Sequence, residues 1–205
     1  MVPVTEEQAE KDAAKDAASE EAKRRSRQVA VSVRGVFGGF WAEDAVDLTE
    51  TIGATTMGGL SIRVTKGHSQ HLAFEGEFVG GRSGTVLFRD VDWQTMQGDI
   101  TRQASFGRLA AAGVIRYGTT NVLSTRFGVG VQGTSYDSLF TTGGTYMDGP
   151  GNSIEFNGLW SVGIGFDTQL AKFWTLGAGA TFAQFVGSDA RVLEGGIQLG
   201  YRWDP

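Results

Sequence analysis

Residues 154–169, IEFNGLWSVGIGFDTQ, limit the choice of fold more than any other part of the chain. Read with period two, Ile154, Phe156, Gly158, Trp160, Val162, Ile164 and Phe166 share one side, and Glu155, Asn157, Leu159, Ser161, Gly163, Gly165 and Asp167 share the other. A pleated strand sends successive side chains to opposite faces, so this segment has one apolar face and one polar, charged face. A helix would scatter both sets around its circumference, and each glycine in it would cost about 1 kcal/mol relative to Ala. Ordinary strands have about 5–6 residues. One of this length suits a tilted, membrane-spanning strand.

The same alternation recurs along the chain from Val29 and predicts eight strands. The first, 29–41, sets Val29, Val31, Val33 and Phe37 against Ser32 and Arg34, and the second, 54–65, sets Leu60, Ile62 and Val64 against Ser61, Arg63 and Thr65. The third, 71–79, opposes Leu72, Phe74 and Phe78 to Glu75 and Glu77. The fourth and fifth, 104–117 and 123–136, carry Arg108 and Arg116, then Arg126 and Gln132, opposite Leu109, Ile115, Phe127 and Val129. The sixth is the segment already described. The seventh and eighth span 173–185 and 191–203, the last with Glu194, Gln198 and Arg202 opposite Leu193, Ile197, Leu199, Tyr201 and Trp203. Connections alternate between long (42–53, 80–103, 137–153) and tight, and only 187–190 breaks the pattern. Short turns at one end and long loops at the other are how outer-membrane barrels are built.

Period two does not by itself say which face is inside; the charges do. The polar face collects Arg34, Arg63, Arg108, Arg116, Arg126 and Arg202 with Glu75, Glu77, Glu155, Asp167 and Glu194, nearly balanced in sign. A solvated barrel surface would use many lysines, yet beyond residue 28 the chain has only Lys66 and Lys172, both in predicted tight turns. Arginine's planar fork suits buried pairing with carboxylates, and buried charges persist only with partners. This predicts an enclosed network, with Arg108, Glu155 and Glu194 towards the long-loop end and Arg63, Arg116, Arg126, Arg202 and Asp167 towards the other. Trp174, Tyr201, Trp203 and Phe166 gather near the tight-turn end of the apolar face, and Trp41 and Phe156, with Phe37, Phe78 and Phe182, gather nearer the long-loop end. Two aromatic girdles around an apolar band are what a bilayer selects. The expected fold is an all-β, eight-stranded antiparallel transmembrane β-barrel at residues 29–205, preceded by a charged, Ala-rich extension at residues 1–28.

At this point the chain resembles the eight-stranded outer-membrane β-barrels of Gram-negative bacteria, the OmpA-like transmembrane domain and OmpX-like family, over about residues 29–203. The most specific mark is Glu194, Gly196, Leu199 and Tyr201, whose spacing is similar to the carboxy-terminal barrel-assembly signal. The chain departs from that pattern by continuing through Arg202-Trp203-Asp204-Pro205 after the aromatic residue. The resemblance implies a bacterial outer-membrane location, contact with outer-membrane lipid and lipopolysaccharide, and handling by the barrel-assembly machinery.

Composition excludes several alternatives. The absence of Cys removes disulfides and thiolate metal sites. A net charge of −5 argues against nucleic-acid binding. No run of apolar residues is long enough for a transmembrane helix, and residues 1–28 contain no apolar stretch of the signal-peptide kind. Those residues hold seven acids and six bases around a narrow Ala stripe, which reads as a solvated helix or a disordered leader on the periplasmic side, with the reach to contact a periplasmic or envelope partner.

Neither the histidines nor the glycines support chemistry. His68, Ser69 and His71 with Glu75 invite comparison with lipid A esterases, but His68 and Ser69 fall in a tight turn, Glu75 points to the lumen on parity and no orienting acid is evident, so a polar turn is the plainer reading. His68-x-x-His71 has no helix to align it on a metal. The Gly-x-Gly pairs lie within strands, with no helix following to cradle phosphate. No catalytic, metal or cofactor site is expected. The connections 42–53, 80–103, 137–153 and 187–190 hold ten acids (Glu43, Asp44, Asp47, Glu50, Asp90, Asp92, Asp99, Asp137, Asp148, Asp189) against Arg82, Arg89 and Arg102. The plainer reading of this rim is solubility and repulsion of anionic lipopolysaccharide except through divalent cations, and the sharper one is a docking surface for a cationic or Ca²⁺-bridged partner. The functional expectation is a non-enzymatic envelope scaffold or partner-presenting anchor. The alternatives are a small ion channel through the polar lumen and, behind it, a lipid A-modifying enzyme.

Overall fold

The computed structural model describes residues 6–42, 52–149, 154–187 and 190–203. A helix, α1 (Glu6–Arg27), leads into ten strands: β1 (Val29–Ala42), β2 (Ile52–Gly67), β3 (Leu72–Ser83), β4 (Val86–Trp93), β5 (Met96–Tyr117), β6 (Asn121–Thr142), β7 (Thr145–Asp148), β8 (Ile154–Gln169), β9 (Trp174–Phe185) and β10 (Arg191–Trp203). Eight of these close a ring in the order β1-β2-β3-β5-β6-β8-β9-β10, and every pairing is antiparallel. The seam runs from Val29 opposite Trp203 to Trp41 opposite Arg191. Closure leaves the ring without an edge, the condition a sheet must meet in lipid.

Side-chain burial is inverted relative to a water-soluble barrel. Leu60, Phe37, Phe74, Leu109, Phe127, Val129, Ile164 and Ile197 are all exposed on the outer face, whereas Arg34, Arg63, Arg108 and Glu194 are each no more than 2% exposed. An apolar exterior is stable only in a bilayer, since soluble monomers rarely expose patches of this extent. Gly59 lets the wall close tightly: a Cβ there would lie 2.9 Å from the Gly81 Cα of the neighbouring strand.

Two stretches expected to be loops are strands instead. β5 and β6 each have 22 residues and stay paired from Asp99 opposite Thr141 to Tyr117 opposite Leu123. A tilted crossing needs about 9–11 residues, so both run well past the membrane. β4 pairs onto the outer edge of β5, and β7 onto that of β6, which makes a four-stranded platform. Its tips are two-residue turns with positive φ: Gln94 and Thr95 at 48° and 68°, and Gly143 and Gly144 at 54° and 80°. Turns of this kind match the twist of the strands they join. The Gly-Gly pair was a visible hairpin signal within the expected 137–153 loop, but Gln94-Thr95 has no such signature.

The charged extension is helical over Glu6–Arg27, with Lys23 Nζ 3.0 Å from Glu20 Oε1. Polar residues surround the helix on all sides, so it has no apolar face with which to enter lipid.

Candidate functional site

The inward-pointing positions form two layers. The first is polar and draws a side chain or carbonyl from every barrel strand. Arg34 (β1) places Nη1 3.6 Å from Glu194 Oε1 and donates through Nη2 to Gly179 O on β9 at 2.9 Å. Arg108, on β5, reaches the same Glu194 Oε1 from the opposite side of the ring at 2.6 Å. Nearer the tight turns, Arg63 Nε lies 2.6 Å from Glu77 Oε1 and 3.7 Å from Glu75 Oε1, while Arg126 Nε lies 3.2 Å from that Glu75 oxygen. Ser61 donates to Glu77 at 2.6 Å and Thr65 to Glu75 at 3.2 Å. Gln198 links the remaining walls: its Oε1 accepts from Arg63 Nη1 at 3.3 Å and its Nε2 donates to Asp167 on β8. Glu75, Glu77 and Glu194 each face more than one partner, the arrangement that lets charge persist away from water, whereas Asp167 takes the single Gln198 bond.

Three of the expected network members sit apart from these pairs. Arg116 turns towards the tight-turn rim and donates through Nη2 to Ser69 O at 3.1 Å and, more weakly, to Leu72 O. Arg202 is half-buried and lines a cavity of about 100 Å³ that opens at the same end, beside Glu75, Arg126 and Asp167. Glu155 is half-buried at an inward position opposite Thr134, with no ion pair among the described residues.

The second layer corrects the expectation of a polar lumen throughout. Val36, Met57, Val79, Phe106, Leu159, Phe185 and Val192 are buried together on the long-loop side of the charges. The two layers share strands: Val36 is two residues beyond Arg34, Val79 two beyond Glu77, Phe106 two before Arg108 and Val192 two before Glu194. These apolar neighbours were readable at the same parity as the charges, but a search for charges alone passes over them. Ser61 and Gln132, placed on the polar face by parity but not counted in the network, are buried too, as is Thr134, which the sequence did not single out. Arg102, counted by sequence among the exposed rim bases, is 4% exposed, with its guanidinium 4.5 Å above the Tyr136 ring. Because β5 continues past the membrane as a strand, its inward parity continues with it.

Of the girdle positions, Trp174, Tyr201 and Trp203 make a connected set on the outer wall, with ring centroids 5.2 Å apart for Trp174–Tyr201 and 6.1 Å for Tyr201–Trp203. Phe166 and Phe156 face outward and exposed, and the Trp41 side chain lies outside the described residues. In the segment similar to the assembly signal, Glu194 points inward while Leu199 and Tyr201 face outward. Gly196 lies beneath the Arg34 stem, whose Cγ would be 2.9 Å from an added Cβ. At the turn before β3, Ser69 Oγ accepts from the amides of His71 and Leu72 at 3.3 and 3.0 Å. His68 packs against Phe74, and His71 Nδ1 donates to Arg116 O at 3.2 Å. The hydroxyl and both rings therefore serve the turn. Of the rim acids, Glu43, Asp44, Asp47, Glu50 and Asp189 lie outside the described residues; Asp90, Asp92, Asp137 and Asp148 are exposed and Asp99 is half-buried.

Solved proteins share this fold. Ail, the attachment invasion locus protein of Yersinia pestis, superposes with a TM-score of 0.54 at 13% identity, covering 87% of this chain and 99% of that one. The chain has the outer-membrane barrel fold. Ail in complex with the heparin analogue sucrose octasulfate superposes similarly, with a TM-score of 0.52 at 15% identity over 86% of this chain and 98% of that one. Neisserial surface protein A aligns over 86% of this chain and 97% of its own, at 11% identity and a TM-score of 0.46. No family model matches this outer-membrane barrel, and no curated protein does.

Proposed function

We propose that the protein is a non-enzymatic scaffold of the bacterial outer membrane that presents its β4–β7 platform to a partner outside the lipid. The observation that carries this reading is the length of β5 and β6: about half of each strand lies beyond what a crossing needs, and β4 and β7 brace the excess into a sheet. A braced sheet holds its side chains in fixed positions, which lowers the entropy cost of binding relative to a flexible loop. Exposed Asp90, Asp92, Asp137 and Asp148 on and beside the platform favour a cationic or Ca²⁺-bridged partner over a polyanion. The extension joins β1 at the opposite end, and its length gives it the reach to contact a periplasmic or envelope partner.

The two layers that fill the lumen weigh against the channel reading. An ion would have to part the Arg–Glu pairs and then cross the apolar layer. The test captures envelope proteins on the detergent-solubilised full chain and on a form lacking the platform tips (residues 89–97 and 140–147 replaced by Asn-Gly turns). The reading predicts partners lost with the tips while the barrel keeps its heat-modifiable migration. Identical partner sets would refute it, and stepwise conductance of the full chain in planar bilayers would favour the channel.

A further inference from the structure

The tight-turn end carries a set of cations that neither the luminal network nor the platform uses. Lys66 is the last outward-facing residue of β2, in register with Val29 on one neighbour and Phe74 on the other, both on the lipid-facing wall. Arg27 ends α1 beside it, because Gly67 N donates to Gln28 O at 2.8 Å. Lys172 lies in the turn between β8 and β9 with Nζ 5.1 Å from the Phe173 ring centroid. All three are exposed. Along the chain, Asp167, five residues before Lys172, points inward to Gln198, and Glu20, seven before Arg27, is held by Lys23.

Depth is set by an independent feature. Phe173 lies 5.8 Å from Tyr201, which joins it to the Trp174–Tyr201–Trp203 belt. Aromatic belts settle at the boundary between acyl chains and headgroups. Lysine and arginine stems at that level lie along the apolar wall and send their charges outward to the phosphates. By sequence, the connections at the other end hold most of the chain's barrel-region acids, so the two rims differ in charge.

We propose that Arg27, Lys66 and Lys172 form a basic collar that holds the headgroups of anionic phospholipids in the leaflet at the tight-turn end. Cations against an anionic headgroup layer gain attraction that decays within a Debye length, so the collar acts only at the girdle. It fixes the depth of the barrel and favours one orientation over its inverse.

The experiment places the full chain in phosphatidylcholine vesicles doped with spin-labelled phosphatidylglycerol or spin-labelled phosphatidylcholine and compares the motionally restricted fractions. At low salt the anionic probe should be enriched at the protein about fivefold over the neutral one, and the enrichment should collapse at about 0.5 M salt. The triple variant R27Q/K66Q/K172Q should bring the ratio close to one, and R82Q/R89Q at the other rim should leave it unchanged. No enrichment for the native chain, or full enrichment in the triple variant, overturns the collar. If the triple variant does not fold, K66Q and K172Q singly must each lower the ratio, and unchanged ratios in both overturn it as well.

Discussion

Arg108 and Glu194 meet across the full width of the barrel: their strands are diametrically opposed in the ring of eight, yet Nη2 and Oε1 are 2.6 Å apart. The same carboxylate takes Arg34 from the adjacent strand. One buried anion therefore ties the seam strand to both the neighbouring wall and the far wall.

Glu194→Gln should lower stability by about 3–5 kcal/mol, because two buried guanidiniums lose their counter-charge. Removing Arg108 as well, in the R108M/E194Q pair, should recover part of that loss by leaving one fewer uncompensated charge. Urea unfolding of the refolded barrel, followed by tryptophan fluorescence, measures both. An E194Q midpoint equal to the native one would show that Glu194 does not carry this role.

Two glycines should respond unequally to the same substitution. At Gly59 an added Cβ would lie 2.9 Å from Gly81 Cα and 3.1 Å from Gly80 C, both backbone atoms that move only with the strand. Gly59→Ala should cost about 1–3 kcal/mol. Gly35 faces outward, with nothing within 4 Å of the same atom, so Gly35→Ala should change stability by less than about 0.5 kcal/mol. The same unfolding titration distinguishes them.

Either luminal layer alone should keep the barrel closed. Phe106→Ala leaves the Arg34–Glu194–Arg108 cluster in place, and E194Q leaves the apolar layer in place. Neither single variant should show unit conductance in planar bilayers, whereas F106A/E194Q together should leak small ions. Current steps in F106A alone would mean that the charged layer does not block by itself.

The platform tip at Gln94-Thr95 holds two non-glycine residues at positive φ, a conformation that Asn-Gly adopts at lower cost. Q94N/T95G should stabilise the β4–β5 hairpin by roughly 1 kcal/mol. Amide exchange of Met96 and Trp93 should slow about fivefold while exchange in the barrel wall stays the same. Faster exchange at the tip would contradict the turn assignment.

The alternation of small apolar and polar residues was legible because a strand places i and i+2 on one face whatever surrounds it. That is why residues 154–169 could be read directly as β8 and why Arg34, Arg63, Arg108 and Glu194 could be assigned to one side. The rarity of lysine beyond residue 28 then indicated which side was enclosed. The tertiary structure alone decided the partners. Arg108 and Glu194 are 86 residues apart, and their pairing depends on strand tilt and register, which set the height of each residue around the ring. It also decided that Val36, Val79, Phe106 and Val192 would assemble into one apolar layer: each is an unremarkable inward residue on its own strand, and only closure stacks them at one level. The platform followed the same rule, since β4 and β7 are too short to be stable alone and exist as strands because β5 and β6 offer them an edge.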